Sequence, residues 1–108
     1  MDIEWRAVVG FEGYYEVSNT GVVRNAKTGL ERKPWLHKGK WLRITLHKDG
    51  KQKNARVHRM VAGAFLENPK NKSEVNHLDC DQENNCVWNL EWCTGEENRE
   101  HYKNYVIT

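Results

Sequence analysis

The hydrophobic period of this chain changes once, near residue 57, and that change limits the folds open to it. Along Trp41-Leu42-Arg43-Ile44-Thr45-Leu46-His47 apolar and polar residues alternate. Leu42, Ile44 and Leu46 share one side and Arg43, Thr45 and His47 the other, as in a half-buried strand. Lys48-Asp49-Gly50-Lys51 follows with the Asp-Gly pair that favours a tight hairpin, so a second strand is expected to lead into Arg56 and Val57. From there Val57, Met60, Val61, Ala64 and Phe65 recur at i, i+3, i+4, i+7 and i+8. That is one apolar stripe of a helix, which Asn68-Pro69 brings to an end.

Upstream, residues 14–17 and 22–24 are β-prone runs on either side of Ser18-Asn19-Thr20-Gly21, and residues 25–29 form another turn cluster. The expected first half is a twisted antiparallel sheet with one apolar and one basic face, which makes the class α+β. At 108 residues the chain is one domain with a modest core. Trp5, Trp35, Trp41, Trp88 and Trp92, with Phe11, Phe65 and the four tyrosines, are expected to carry much of the burial. No apolar run approaches the ~20 residues that cross a bilayer. Met1-Asp2-Ile3-Glu4 lacks the basic-then-apolar form of a secretion signal. A soluble chain without a membrane partner, retained in the cytoplasm, is the expectation.

The net charge of +2 conceals a division. Residues 24–59 hold twelve Lys or Arg against Glu31 and Asp49, whereas from Glu67 onward four basic residues face nine acidic ones. A basic surface that grips a polyanion fits this asymmetry, and so does a lysine-rich face kept for solubility. The tryptophans and strands within the basic segment favour nucleic acid, with Arg24, Lys38, Lys40, Arg43, His47, Lys51, Lys53, Arg56 and Arg59 as its contacts. His58, a lone histidine opening the helix off its apolar stripe, reads as a structural or phosphate-contacting residue. Cys80, Cys86 and Cys93 are odd in number and form no Cys-x-x-Cys pair, so reduced thiols are expected and structural zinc is not. Cys93, beside Trp92, reads as a small core residue.

The last forty residues concentrate polar anchors in a regular setting. Residues 74–78 read as a strand, 79–88 as a polar loop and 90–93 as a second strand. Thr94-Gly95-Glu96-Glu97 has the form of a capping box, which predicts a helix from Thr94 to about residue 104. That helix would carry Asn98, His101, Tyr102 and Tyr105 along one face and bring Asn98 against the strand of Asn76 and His77. Cutting a phosphodiester needs a base near neutrality and positive charge on the developing oxyanions. His77 can be that base. Asn76 and Asn98 can offer oxygens to a hard ion such as Mg2+ or Mn2+, which keeps waters and borrows phosphate oxygens. Asn89, at the loop's exit, can hydrogen-bond the backbone near His77 and orient the ring. Taken singly, each asparagine is equally a turn or cap residue; their joint placement favours a site.

Val75-Asn76-His77-Leu78-Asp79, Asn84-Asn85, Asn89-Leu90-Glu91-Trp92 and Glu97-Asn98 together resemble the core of the HNH, or ββα-metal, endonucleases of phage and intron homing type. Trp5 with the run from Gly13 to Arg24 resembles the nuclease-associated modular motif that often precedes this core. Val57-His58-Arg59-Met60-Val61-Ala62 with Asn68-Pro69 resembles the joining helix. The resemblance implies His77 as general base, Asn76 and Asn98 as metal ligands and Asn89 as the loop's support. It divides the chain into a basic DNA-binding region, residues 1–56, and a joining helix plus ββα-metal core, residues 57–108. The implied partner is double-stranded DNA, nicked by a monomer in the cytoplasm of a bacterial or phage-infected cell. Two departures stand out: many relatives have a carboxylate where this chain has Asn76, and many continue past the last helix into further DNA-binding modules. A DNA-binding module that no longer cuts is the alternative, and a small zinc-stabilised domain built on the cysteines is a third.

Overall fold

The computed structural model describes residues 2–37 and 40–107, with all their side chains except those of His37 and residues 105–107. Its order is β1 (Trp5–Ala7), β2 (Tyr15–Ser18), β3 (Val23–Asn25), β4 (Glu31–Arg32), β5 (Trp35–His37), β6 (Lys40–Lys48) and β7 (Lys51–Arg56). The helix α1 (Val57–Phe65), β8 (Glu74–His77), β9 (Leu90–Cys93) and the helix α2 (Gly95–Ile107) follow. The mixed α+β class is as expected from the change of period. The N-terminal strands, however, form two antiparallel sheets, β1-β2-β3-β4 and β5-β6-β7. Pro34 lies between them; without an N–H and with a fixed φ it cannot continue a ladder.

The hairpin β6–β7 turns at Asp49 and Gly50, with φ of 51° and 76°, the positive pair that a two-residue turn of this hand requires. Its register, Arg43 opposite Arg56 through Lys48 opposite Lys51, sends Ile44 and Leu46 inward and leaves His47 exposed. Helix α1 ends at Phe65. There the chain becomes extended, and the Trp92 indole N–H reaches the Leu66 carbonyl at 3.3 Å.

All three sheets meet on α1. Val57, Met60, Val61 and Ala62 pack in one cluster with Val17 and Val23 of the first sheet, Ile44 and Leu46 of the second, and Val75 and Leu90 of the β8–β9 pair. Each fully buried aliphatic contributes about 1.5–3 kcal/mol by leaving water. The expectation that tryptophans fill the core does not hold. Trp88 and Trp35 are 51% and 37% exposed, Trp5, Trp41 and Trp92 are half-buried, and the largest fully buried apolar side chains are Ile44, Leu46, Val17, Val23, Val57 and Val61, with Tyr15 beside them in the core. Cys93 is buried as expected, and burial pushes its thiol up to about 11.

Candidate active site

The strands β8 and β9 pair antiparallel, with Asn76 opposite Glu91 and His77 opposite Leu90. Helix α2 then starts in the expected capping box: the Glu97 N–H donates to Thr94 Oγ1 at 3.1 Å, and the Thr94 N–H donates to Glu97 Oε1 at 2.9 Å. Between the strands Asn89 holds the loop closed. Its Oδ1 accepts the Asp79 N–H at 3.1 Å, and its Nδ2 donates to Asp79 Oδ1 and to the Asn84 carbonyl, both at 2.9 Å. Asn89 thus meets the backbone just beyond His77, as the sequence suggests, but the ring itself is held elsewhere. Asp79 also accepts from Asn84 Nδ2 at 2.8 Å and from the Asp81 N–H. These bonds, the Asn84 one first, hold its carboxyl below the usual range.

His77 is buried, and its Nε2 lies 2.7 Å from Asn85 Oδ1. Against it sits His58, ring centroid 4.9 Å away, with Trp41 stacked on the far side of His58 at 6.1 Å. His58 is therefore buried, although it lies off the apolar stripe of α1. It is 3% exposed, and burial, reinforced by the charges of His77, Arg59 and Arg56, brings its imidazole down to about 3. It is neutral at physiological pH and can form one wall of the site without adding charge.

The two amides are turned by carboxylates. Asn76 Nδ2 donates to Glu91 Oε1 at 3.0 Å, and Asn98 Nδ2 donates to Glu74 Oε1 at 3.2 Å. An ionised carboxylate only accepts, so each NH2 faces the glutamate and each Oδ1 faces away. Both Oδ1 atoms are buried and have no hydrogen-bond partner. Leaving such acceptors unmet costs about 1–3 kcal/mol each. Two buried oxygens without donors, backed by two carboxylates, are a donor set that suits a hard divalent ion. Among the described residues no group of three or more His, Cys, Asp or Glu is placed to hold a metal.

A cleft of about 240 Å3 opens here, lined by Trp41, Arg56, His58, Arg59, Glu74, Val75 and Asn98. The Arg56 guanidinium lies 4.4 Å over the Trp41 ring. Burial, then the neighbouring Arg59 and Arg43, lowers its affinity for its proton. Arg43 Nε and Arg59 Nε are buried without partners. Three of the proposed DNA contacts thus converge beside the site. Lys40, His47, Lys51 and Lys53 are exposed along β6 and β7. Arg24 is apart, stacked 3.7 Å over Trp5 and ion-paired with Glu16 at 2.9 Å. Lys38 lies outside the described residues.

A NUMOD4 motif matches residues 4–47. The DNA endonuclease I-HmuI of Bacillus phage SP01 is 41% identical over 99 residues, covering 92% of this chain and 57% of its own length. The uncharacterized HNH endonuclease L245 of Acanthamoeba polyphaga mimivirus is 39% identical over 108 residues, which make up 31% of that protein. A solved structure described as "DNA binding and cleavage by the HNH homing endonuclease I-HmuI" superposes with a TM-score of 0.87 at 39% identity. It covers 97% of this chain and 60% of that one. Over nearly all of its length this chain is similar to HNH endonucleases. It therefore spans about a third to three fifths of the length of these relatives. Sequence reasoning placed Asn76, His77, Asn89 and Asn98 in one region but gave no role to four side chains that shape it. Asn85 holds the His77 ring, Glu74 and Glu91 turn the amides, and Trp41 covers His58. The opposite register of Asn76 and Glu91 across two short strands was the one signal that could have found any of them.

Proposed function

We propose that the chain is a divalent-metal-dependent DNA endonuclease that hydrolyses one strand of a duplex at a time. The observation that carries this reading is the pair of partnerless oxygens, Asn76 Oδ1 and Asn98 Oδ1, on the strand and helix that frame His77. In this reading His77 takes the proton of the attacking water. Asn89 keeps the loop that follows His77 in place. Arg56 and Arg59, in the cleft wall, bind phosphate oxygens, and the exposed Lys40, His47, Lys51 and Lys53 follow the backbone of double-stranded DNA. Asn76 and Asn98 would hold Mg2+ or Mn2+ through their unpartnered Oδ1 atoms. When bound, such an ion supplies positive charge where the phosphate oxygens become more negative. A single base and a single ion address one strand, so a monomer nicks.

The relatives support this reading by name, being called DNA endonuclease and HNH endonuclease. A second reading, DNA binding without cutting, draws on one observation. Position 76 is a neutral amide, a weaker ligand for a hard cation than a carboxylate. Nicking of supercoiled plasmid in Mg2+, Mn2+ and chelator separates them. Metal-dependent conversion to the open circle, lost in His77→Ala, is the expected result; binding with no conversion in either metal supports the second reading.

A further inference from the structure

His77 Nε2 and Asn85 Oδ1 are 2.7 Å apart, and both residues are buried. An amide oxygen only accepts, so the proton of the neutral ring sits on Nε2 and the lone pair on Nδ1. If the Asn85 amide were reversed, its NH2 would face the same nitrogen and the ring proton would move to Nδ1. The direction in which Asn85 faces therefore decides which nitrogen of His77 is open to a proton. Asn85 is in turn confined by the other half of the chain. Gly21, at φ +92°, approaches so closely that an added Cβ would lie 3.0 Å from Asn85 Cβ and 3.1 Å from the Asn85 carbonyl oxygen. Next to it the Val87 N–H donates to the Asn19 carbonyl at 2.8 Å, and Cys86 Sγ donates to the Thr20 carbonyl at 3.8 Å. The turn is itself fastened. Ser18 Oγ accepts the Val22 N–H at 2.9 Å, and Asn19 Oδ1 accepts the Glu4 N–H at 3.1 Å.

We propose that Asn85 is a positioning residue that fixes the tautomer and orientation of His77, and that the turn at residues 18–22 of the NUMOD4 motif holds Asn85 in place. The motif then acts as part of the scaffold of the base as well as beside it. The rate predictions rest on the endonuclease reading; the tautomer does not.

Ring-nitrogen NMR of the full chain at alkaline pH reads which His77 nitrogen carries the proton, without any need for catalysis. Nε2–H is expected in the wild type and in Asn85→Asp, whose carboxylate likewise only accepts, and a mixture of tautomers in Asn85→Leu. In single-turnover nicking Asn85→Leu should lower the rate about 10- to 100-fold, the scale of a misplaced reacting group. Its DNA affinity should change by less than about twofold, and Asn85→Asp should restore the rate. Gly21→Ala, which crowds Asn85 without touching His77, should lower the rate about 3- to 10-fold at unchanged affinity. A wild-type His77 with its proton on Nδ1 overturns the proposal, as does an Asn85→Leu variant that keeps both Nε2–H and the wild-type rate. Should Asn85→Leu fail to fold, Nδ1–H in the wild type or in Asn85→Asp still overturns it. If the wild type never nicks, the endonuclease reading falls, while the tautomers still decide this one.

Discussion

Replacing Asn76 by Asp exchanges an NH2 for an oxygen of nearly the same size, and in this fold the exchange acts in two opposite directions. Nδ2 of Asn76 donates to Glu91 at 3.0 Å, so Asp sets one carboxylate against another across the β8–β9 pair. Two unit charges at such a distance repel by about 5 kcal/mol at an effective dielectric of ~20 and by about 1 kcal/mol in water. Glu91 is exposed, which brings the repulsion to about 1–2 kcal/mol. Losing a hydrogen bond to a charged group adds about 1.5–3 kcal/mol. Without metal the variant should therefore be about 2.5–5 kcal/mol less stable, which lowers Tm by roughly 10–25 °C for a domain of this size. Its second oxygen takes the place of Asn76 Oδ1 and gives a hard ion a charged ligand. A site filled at 100 times its Kd stabilises the fold by about 2.7 kcal/mol. Calorimetric melts in chelator and in Mg2+ should show the variant starting lower and recovering more than the wild type. Adding Glu91→Gln should restore most of the metal-free Tm. Equal melts in chelator would refute the Asn76–Glu91 contact, and an equal response to Mg2+ would refute Asn76 as a ligand.

His77→Ala should abolish nicking, by about 10²- to 10⁴-fold as for a lost general base, with duplex affinity retained in a gel-shift titration. Asn98→Ala should raise the Mg2+ concentration for half-maximal nicking; a titration curve that does not move makes Asn98 a helix residue only. Substituting Lys40, Lys51 and Lys53 together should weaken binding to every duplex and flatten the slope of log affinity against log salt by up to about 2.7, at ~0.9 per contact. His58 is held down to about 3 in the fold, whereas an unfolded histidine takes its proton near ~6.5. The unfolded chain thus binds more protons between those values, and stability falls as pH drops through that window. Urea midpoints should record a loss of about 2 kcal/mol from pH 7 to pH 5, absent in His58→Phe.

What the sequence makes legible here is what depends on near neighbours. The Thr94–Glu97 capping box, the stripe of α1 and the Asp49-Gly50 hairpin each join residues within a few positions, and each is found where local rules put it. Asn85 is different. It lies in Gln82-Glu83-Asn84-Asn85, where either asparagine suits a turn. It faces His77 because Asn89 closes the loop and Gly21 crowds it from outside. His58 lies off the apolar stripe of α1, yet Trp41 of β6 covers it from a backbone φ of 33°, a conformation rare for a bulky residue. The tryptophans misled for a related reason. Their size argues for burial, but Trp5 and Trp41 each receive a guanidinium on one face, so a half-exposed ring is well placed.

The position of α1 bears on how such chains can be recombined. Val75 and Leu90, the buried aliphatics of the β8–β9 pair, lie in the cluster that α1 shares with Val17, Val23, Ile44 and Leu46. A graft of the β8–β9–α2 unit onto another scaffold, cut just before Val57, would bring α1 along with half of its partners missing. A workable exchange has to carry the hairpin and the first sheet as well, so a gene fusion that makes new pairings has to keep this whole assembly together.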